Sequence, residues 1–204
     1  SDPIMTRQDM GLPEDGFVFC CFNNNHEITP REFDIWMRLL TKVEGSVLWL
    51  SHFNKAVTNN LQKEAELRGV NPSRIVIADN VHKGAHLARH RLADLFLDTF
   101  NFNAHTTASE ALWAGLPLVT KVGKGFAARV AGSLLHAIDL PELITENEEK
   151  YEALILELAT NPNKLNEIKE KLQTNRLYQP LFNTEQYTKY LEDGYRQAYQ
   201  NYLR

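Results

Sequence analysis

The sequence predicts an α/β fold, a parallel sheet doubly wound by helices in the Rossmann-like manner. Three observations carry that prediction. Short apolar runs recur along the chain at Phe17–Phe22, Val47–Leu50, Ile75–Ile77, Leu95–Leu97 and Pro117–Thr120. Apart from the Thr120 that closes the last, each is apolar throughout, the pattern of a strand covered on both faces. Helix start and stop signals fall between the runs, and repeated strand–helix units close as right-handed parallel crossovers.

Taken in order, Pro13-Glu14-Asp15-Gly16 reads as a turn into the first strand, and Asn23-Asn24-Asn25-His26-Glu27 as the polar loop that leaves it. Thr29-Pro30-Arg31-Glu32 is a capping box with proline at the first helical position, and Phe33, Trp36, Met37 and Leu40 follow at helical spacing. After the Val47 strand, a polar-faced helix is expected from about Asn59 to Leu67, closed by Gly69, before the Ile75 strand. A helix over Lys83–Leu92 leads to the strand Leu95–Leu97, which Asp98 ends. The next helix is expected to open on Thr107 as N-cap, with Glu110 completing a T-x-x-E box and Gly115 before Leu116-Pro117 as its stop. The strand at Pro117 and a helix from Ala127 continue the alternation. Glu142–Asn175 is polar and charged, and is read as two solvated helices without chemistry. The last helix opens on Asn183 and carries Tyr187, Leu191, Tyr195, Tyr199 and Tyr202 on one face, for which core packing and a docking face both stay open.

Residues 1–10 read as a cloning remnant or linker, 11–180 as one lobe, and 181–204 as a terminal helix, so the chain is expected to be a piece of something longer. The net charge of −4 argues against a nucleic-acid partner, which normally needs a clustered basic surface. Cys20 and Cys21 are adjacent and point to opposite faces of a strand, which favours a reducing, cytoplasmic setting. No apolar run approaches membrane-spanning length, so no membrane partner is expected.

In a doubly wound sheet, ligands bind outside the carboxyl ends of the strands. Four loops lie there: the asparagine loop, Asp79-Asn80-Val81-His82-Lys83, the turn His105-Thr106-Thr107, and Gly123-Lys124-Gly125. Lysine, histidine, threonine and glycine N–H groups recur in them, equipment for holding a diphosphate without a metal. A helix N-terminus at Thr106 and Thr107 adds free N–H groups and a favourable dipole. Two other readings compete. Gly123–Ala128 matches G-x-G-x-x-A, the dinucleotide fingerprint, but late in the fold and without the acidic residue that should end the next strand. His82, His86 and His90 share a helix face, yet no third ligand is apparent, and Lys83 and Arg89 would repel a cation, so no metal is expected.

Several segments resemble the C-terminal, donor-binding lobe of the O-linked N-acetylglucosamine transferase family. They are Leu97-Asp98-Thr99, Asn103-Ala104-His105-Thr106-Thr107, Leu112–Thr120 and Ala128-Arg129-Val130-Ala131, with Ser46–Leu50 and Pro180–Thr188. The similarity runs in register from about Gly11 to Tyr202. It implies the second half of a GT-B glycosyltransferase, which moves N-acetylglucosamine with inversion from UDP-N-acetylglucosamine to Ser or Thr hydroxyls of proteins. By the family's motif, Lys83 would contact the diphosphate, His86 and Arg89 the uridine end, and the backbone around Val81 the uracil edge. His105 belongs to the same motif, Thr106 and Thr107 would hold phosphate, and Glu110, where better-known members have aspartate, would take the ribose hydroxyls. Asn24 matches a glutamine used near the phosphates. No cofactor beyond the donor substrate is implied. The catalytic base, the helical repeats that grip protein acceptors and the acceptor site would lie in absent parts, the last helix would cross back to the absent lobe, and a homo-oligomer is conceivable. One departure stands out: Glu27 occupies the position of a lysine that stabilises the departing diphosphate, and Lys124 is the candidate replacement. A nucleotide-sugar binding module without transfer, or an NAD-type domain, remains the alternative.

Overall fold

A computed structural model describes residues 5–203. Six parallel strands form one sheet in the order β3-β2-β1-β4-β5-β6, with β1 at Val18–Cys21, β2 at Val47–Leu50, β3 at Ile75–Ile77, β4 at Leu95–Leu97, β5 at Leu118–Lys121 and β6 at Ile144–Thr145. The strand order reverses direction between β1 and β4, the switch point at which such sheets open a crevice. All residues of β1, β2 and β4 are buried, as their unbroken apolar runs require.

Eight α-helices lie among the described residues: α1 Pro30–Lys42, α2 Lys55–Leu67, α3 Lys83–Arg89, α4 Thr106–Trp113, α5 Val130–Ala137, α6 Glu148–Thr160, α7 Pro162–Tyr178 and α8 Thr184–Tyr202. The box opening α1 forms as expected, with the Glu32 carboxylate accepting from the Thr29 N–H at 2.8 Å and from the Thr29 hydroxyl. Asn54 caps α2, which therefore starts four residues before the expected Asn59, and Gly69 ends it in the left-handed region at φ 75. α3 ends at Arg89 and tightens into a 3-10 turn through Leu92, while a 3-10 turn at Phe126–Ala128 precedes α5.

One expectation needs correcting here. Glu142–Asn175 is not merely solvated: it holds β6, and α6 and α7 bury Tyr151, Ile155, Leu158, Leu165, Ile168 and Leu172. The expected remnant at residues 1–10 lies outside the described residues for 1–4. Beyond them, Arg7 is tied into the fold, donating to the carbonyls of Leu92 at 3.0 Å and Gly16 at 2.8 Å and to Asp94 Oδ2 at 2.8 Å. α8 buries nothing, so its stripe is not core in this chain: Tyr195 is 67% and Tyr199 65% exposed.

Candidate functional site

The switch point is braced by a buried polar network. Asp98, fully buried, ends β4, and its Oδ1 accepts from the N–H of Thr99 at 2.9 Å and of Ala104 at 2.6 Å, while its Oδ2 accepts from the Thr120 hydroxyl at 2.6 Å. Asn23 follows β1. Its Nδ2 donates to Thr99 Oγ1 at 2.6 Å and lies 3.4 Å from Asp98 Oδ1, and its Oδ1 accepts from the Thr107 hydroxyl at 2.8 Å. Tyr151 adds a hydroxyl donated to the Asp98 carbonyl at 2.9 Å. Burial pushes the Asp98 carboxyl up to about 7 against the opposing pull of the Thr120, Ala104, Thr99 and Asn23 donors. Sequence reasoning missed this network. Asp98 was legible as a strand end, but nothing local told that Asn23, Thr99, Thr107 and Thr120 meet around it.

The opening of α4 departs from expectation. The helix begins at Thr106 with His105 as N-cap, and no side chain caps it, so the Thr107–Glu110 box does not form. The reason is tertiary: the Thr107 hydroxyl is drawn inward to Asn23, and Glu110 turns toward α3. The first N–H groups of an α-helix have no partner within it, so those of this terminus are left for an anion. Thr106 is exposed beside them. His105 stacks on Phe102 with centroids 4.5 Å apart, and its Nε2 lies 3.4 Å from the Ala127 carbonyl.

Across from α4, Arg89 is 3% exposed and sits over the Phe22 ring at 4.6 Å from its centroid. Its guanidinium donates to the Asp79 carbonyl at 2.7 Å and to His86 Nδ1 at 2.6 Å. Because a guanidinium only donates, His86 carries its proton on Nε2, which faces Glu110 Oε2 at 3.5 Å. Burial, then Arg89, lowers His86 to about 4, so the contact with Glu110 is that of a neutral imidazole and not an ion pair at pH 7. His90 is also lowered to about 4, chiefly by burial, and its Nδ1 meets the His86 carbonyl at 2.8 Å. His82 caps α3 by accepting from the Ala85 N–H at 3.4 Å. The three histidines thus serve three separate local purposes.

Lys83, Thr106 and Glu110 line one hollow of about 510 Å³, completed by Trp113 and by Phe182 and Tyr187 where the chain enters α8. Val81 stands in the loop after β3, two residues before Lys83. Asn24 is exposed after β1, its Nδ2 3.4 Å from Glu27 Oε1, and the Glu27 side chain is 11% exposed. Lys124 lines a different hollow, with Lys121 and Phe100, and does not join Lys83. The Gly123 N–H donates to the Ala128 carbonyl at 2.7 Å, and a Cβ on Gly123 would stand 2.5 Å from the Ala128 Cβ. Closure of the loop on itself therefore accounts for this glycine of the G-x-G-x-x-A match, with no dinucleotide required.

A family model described as glycosyl transferase family 41 matches residues 2–191. The chain is similar to a probable UDP-N-acetylglucosamine–peptide N-acetylglucosaminyltransferase, SEC, of Arabidopsis thaliana, with 40% identity over 190 residues that cover 93% of this chain and 19% of that protein. Identity to the UDP-N-acetylglucosamine–peptide N-acetylglucosaminyltransferase of Caenorhabditis elegans is 36% over 199 residues, covering 98% and 17%. Among solved structures, a mutant O-GlcNAc transferase from Thermobaculum terrenum matches with a TM-score of 0.86 at 30% identity, over 91% of this chain and 36% of that one. The chain spans about a fifth of the length of these curated relatives.

Proposed function

The chain belongs to glycosyl transferase family 41, and from that premise we propose that it is the donor-binding lobe of a GT-B enzyme that moves N-acetylglucosamine from its UDP ester to protein Ser or Thr hydroxyls. The observation that carries this reading is the convergence of Lys83, Thr106 and Glu110 on one hollow beside the uncapped start of α4. The diphosphate rests on the α4 N–H groups, the Thr106 hydroxyl and Lys83, with Asn24 at its flank. Glu110 accepts the ribose hydroxyls, His86 and Arg89 border the uridine, and the backbone near Val81 reads the uracil edge. His105 shapes the sugar side through its packing on Phe102.

As the sugar bond breaks, the leaving UDP gains negative charge, which preorganised donors must offset. α4 and Lys83 supply that offset without a metal. Glu27 opposes it, and this carboxylate is the one observation that favours the second reading, a nucleotide-sugar binding module with slow or absent transfer. The catalytic base, the acceptor site and the helical repeats belong to the longer, cytoplasmic protein. The bare tyrosine face of α8 packs on its other lobe.

Calorimetric titration of the chain with UDP tests the proposal. Saturable binding that Lys83→Ala weakens about tenfold, as loss of one charge-assisted contact predicts, supports it. Binding of NAD in preference to UDP contradicts it. The chain by itself is expected to show no sugar transfer.

A further inference from the structure

Thr107 lies in the first turn of α4, but its single hydroxyl proton is already spent. The orientation of Asn23 settles this twice over. Asp98 Oδ1 receives two backbone N–H groups, so it is an acceptor whether or not the carboxyl is protonated, and the Asn23 amide nitrogen must be what faces it. Independently, the Thr99 hydroxyl gives its proton to the Phe102 carbonyl at 2.6 Å, leaving Thr99 Oγ1 to accept from the same Asn23 nitrogen. The Asn23 carbonyl therefore points at Thr107, and a carbonyl accepts only. Asn23 is 2% exposed, and Asp98 and Thr99 are fully buried, so water is kept from the bonds that fix the Asn23 amide, while the Thr107 hydroxyl is half-buried.

The chain of bonds runs from the end of β4 to the end of β1 and back into α4, across the crevice where the sheet order reverses. We propose that Asn23 is a positioning residue for the diphosphate end of the donor site, holding the first turn of α4 through the Thr107 hydroxyl. Phosphate is then held by the backbone N–H groups of that turn and by the Thr106 hydroxyl, and not by the Thr107 hydroxyl. The inference rests on the donor-lobe reading above, deepens it, and divides two adjacent threonines into different roles: Thr106 faces the ligand, and Thr107 faces the fold.

The test compares UDP with uridine, which lacks phosphate, by calorimetric titration of wild type, Asn23→Leu, Thr107→Val, Thr107→Ser, Thr106→Val and the double variants. Asn23→Leu and Thr107→Val are each expected to weaken UDP about fivefold, the equivalent of one hydrogen bond, and to leave uridine within twofold of wild type. Combining them is expected to cost no more than either alone, because both cut the same link. Thr107→Ser keeps the hydroxyl and is expected to restore UDP affinity, which makes the Thr107 pair decisive even where Asn23→Leu does not fold. Thr106→Val is expected to weaken UDP independently, multiplying the effect of Thr107→Val. An Asn23–Thr107 double variant whose losses multiply, a loss on uridine as large as on UDP, or full UDP affinity in Thr107→Val overturns the positioning role while leaving the donor site standing. Wild type that binds no UDP overturns the donor-lobe reading and this inference with it.

Discussion

Asp98→Asn removes a buried ionisation while keeping shape and hydrogen bonds. The new Oδ1 still accepts from Thr99 and Ala104, and the new amide donates to Thr120, whose hydroxyl can turn to accept. Burial holds the native carboxyl at about 7, against an ordinary value of 3.8. Between those values the folded chain keeps a proton that the unfolded chain has released. The native state binds more protons there, so the contribution of Asp98 to stability is full below the ordinary value and is lost as pH rises through about 7. A shift of roughly three pH units corresponds to about 4 kcal/mol. That is a large share of a typical domain's stability of roughly 5–15 kcal/mol. His86 and His90 titrate with the opposite sign, but they are present in both proteins and cancel in the difference. Urea unfolding at several pH values is the assay. Asp98→Asn is expected to gain on wild type by up to about 1.4 kcal/mol per pH unit between pH 5 and 7, and then to level off. Parallel curves for the two proteins contradict a raised Asp98, for they mean that the four donors outweigh burial and keep it ionised over that range.

In the Asp98→Asn background the two lowered histidines dominate the pH dependence above about 4.5, the lowered carboxylate of Glu152 adding at the acid end. Both histidines are neutral in the fold down to about 4 but charge near 6.5 in the unfolded chain, so stability is expected to fall by roughly 2 kcal/mol per pH unit as pH drops from 6.5 to 4.5; a flat profile contradicts their burial. Glu27→Lys exchanges a charge that repels diphosphate for one that attracts it, and UDP affinity is expected to rise about tenfold at low salt, with the gain shrinking in high salt. An unchanged affinity would place position 27 away from the phosphates. Gly123→Ala forces a Cβ to within 2.5 Å of the Ala128 Cβ and is expected to cost about 1–3 kcal/mol in unfolding experiments. An unaltered melting temperature would mean that the loop has room to open.

The strands β2, β3 and β4 were legible to the residue, because a run such as Val47–Leu50 is apolar on both faces and bounded by polar residues. β6 was not, since two residues at the sheet edge carry no periodicity. In α6 the apolar spacing of Tyr151, Ile155 and Leu158 was present, but the glutamates between them dominated the reading. The start of α4 shows a local signal losing to a tertiary one: Thr107 and Glu110 satisfy a capping pattern, yet the pull of Asn23 and the approach of α3 give both side chains other partners. The hollow shared by Lys83, Thr106 and Glu110 was foreshadowed because strand ends fix which loops share an edge. The Asp98 network was not, because a polar residue at a strand end says nothing about partners some eighty positions away. The same limit explains Lys124, whose loop lies on the expected edge but opens on a different hollow.

In the proposed donor site, UDP seats its diphosphate on the start of α4. Backbone amide NMR of the chain during UDP titration reads that contact residue by residue. Large, saturable shifts at the Thr106, Thr107 and Ala108 amides, with accompanying shifts at Lys83 and His86, are the predicted result. If those amides stay still, whether nothing moves or the changes gather at Gly123–Gly125 instead, the donor site does not lie at the start of α4.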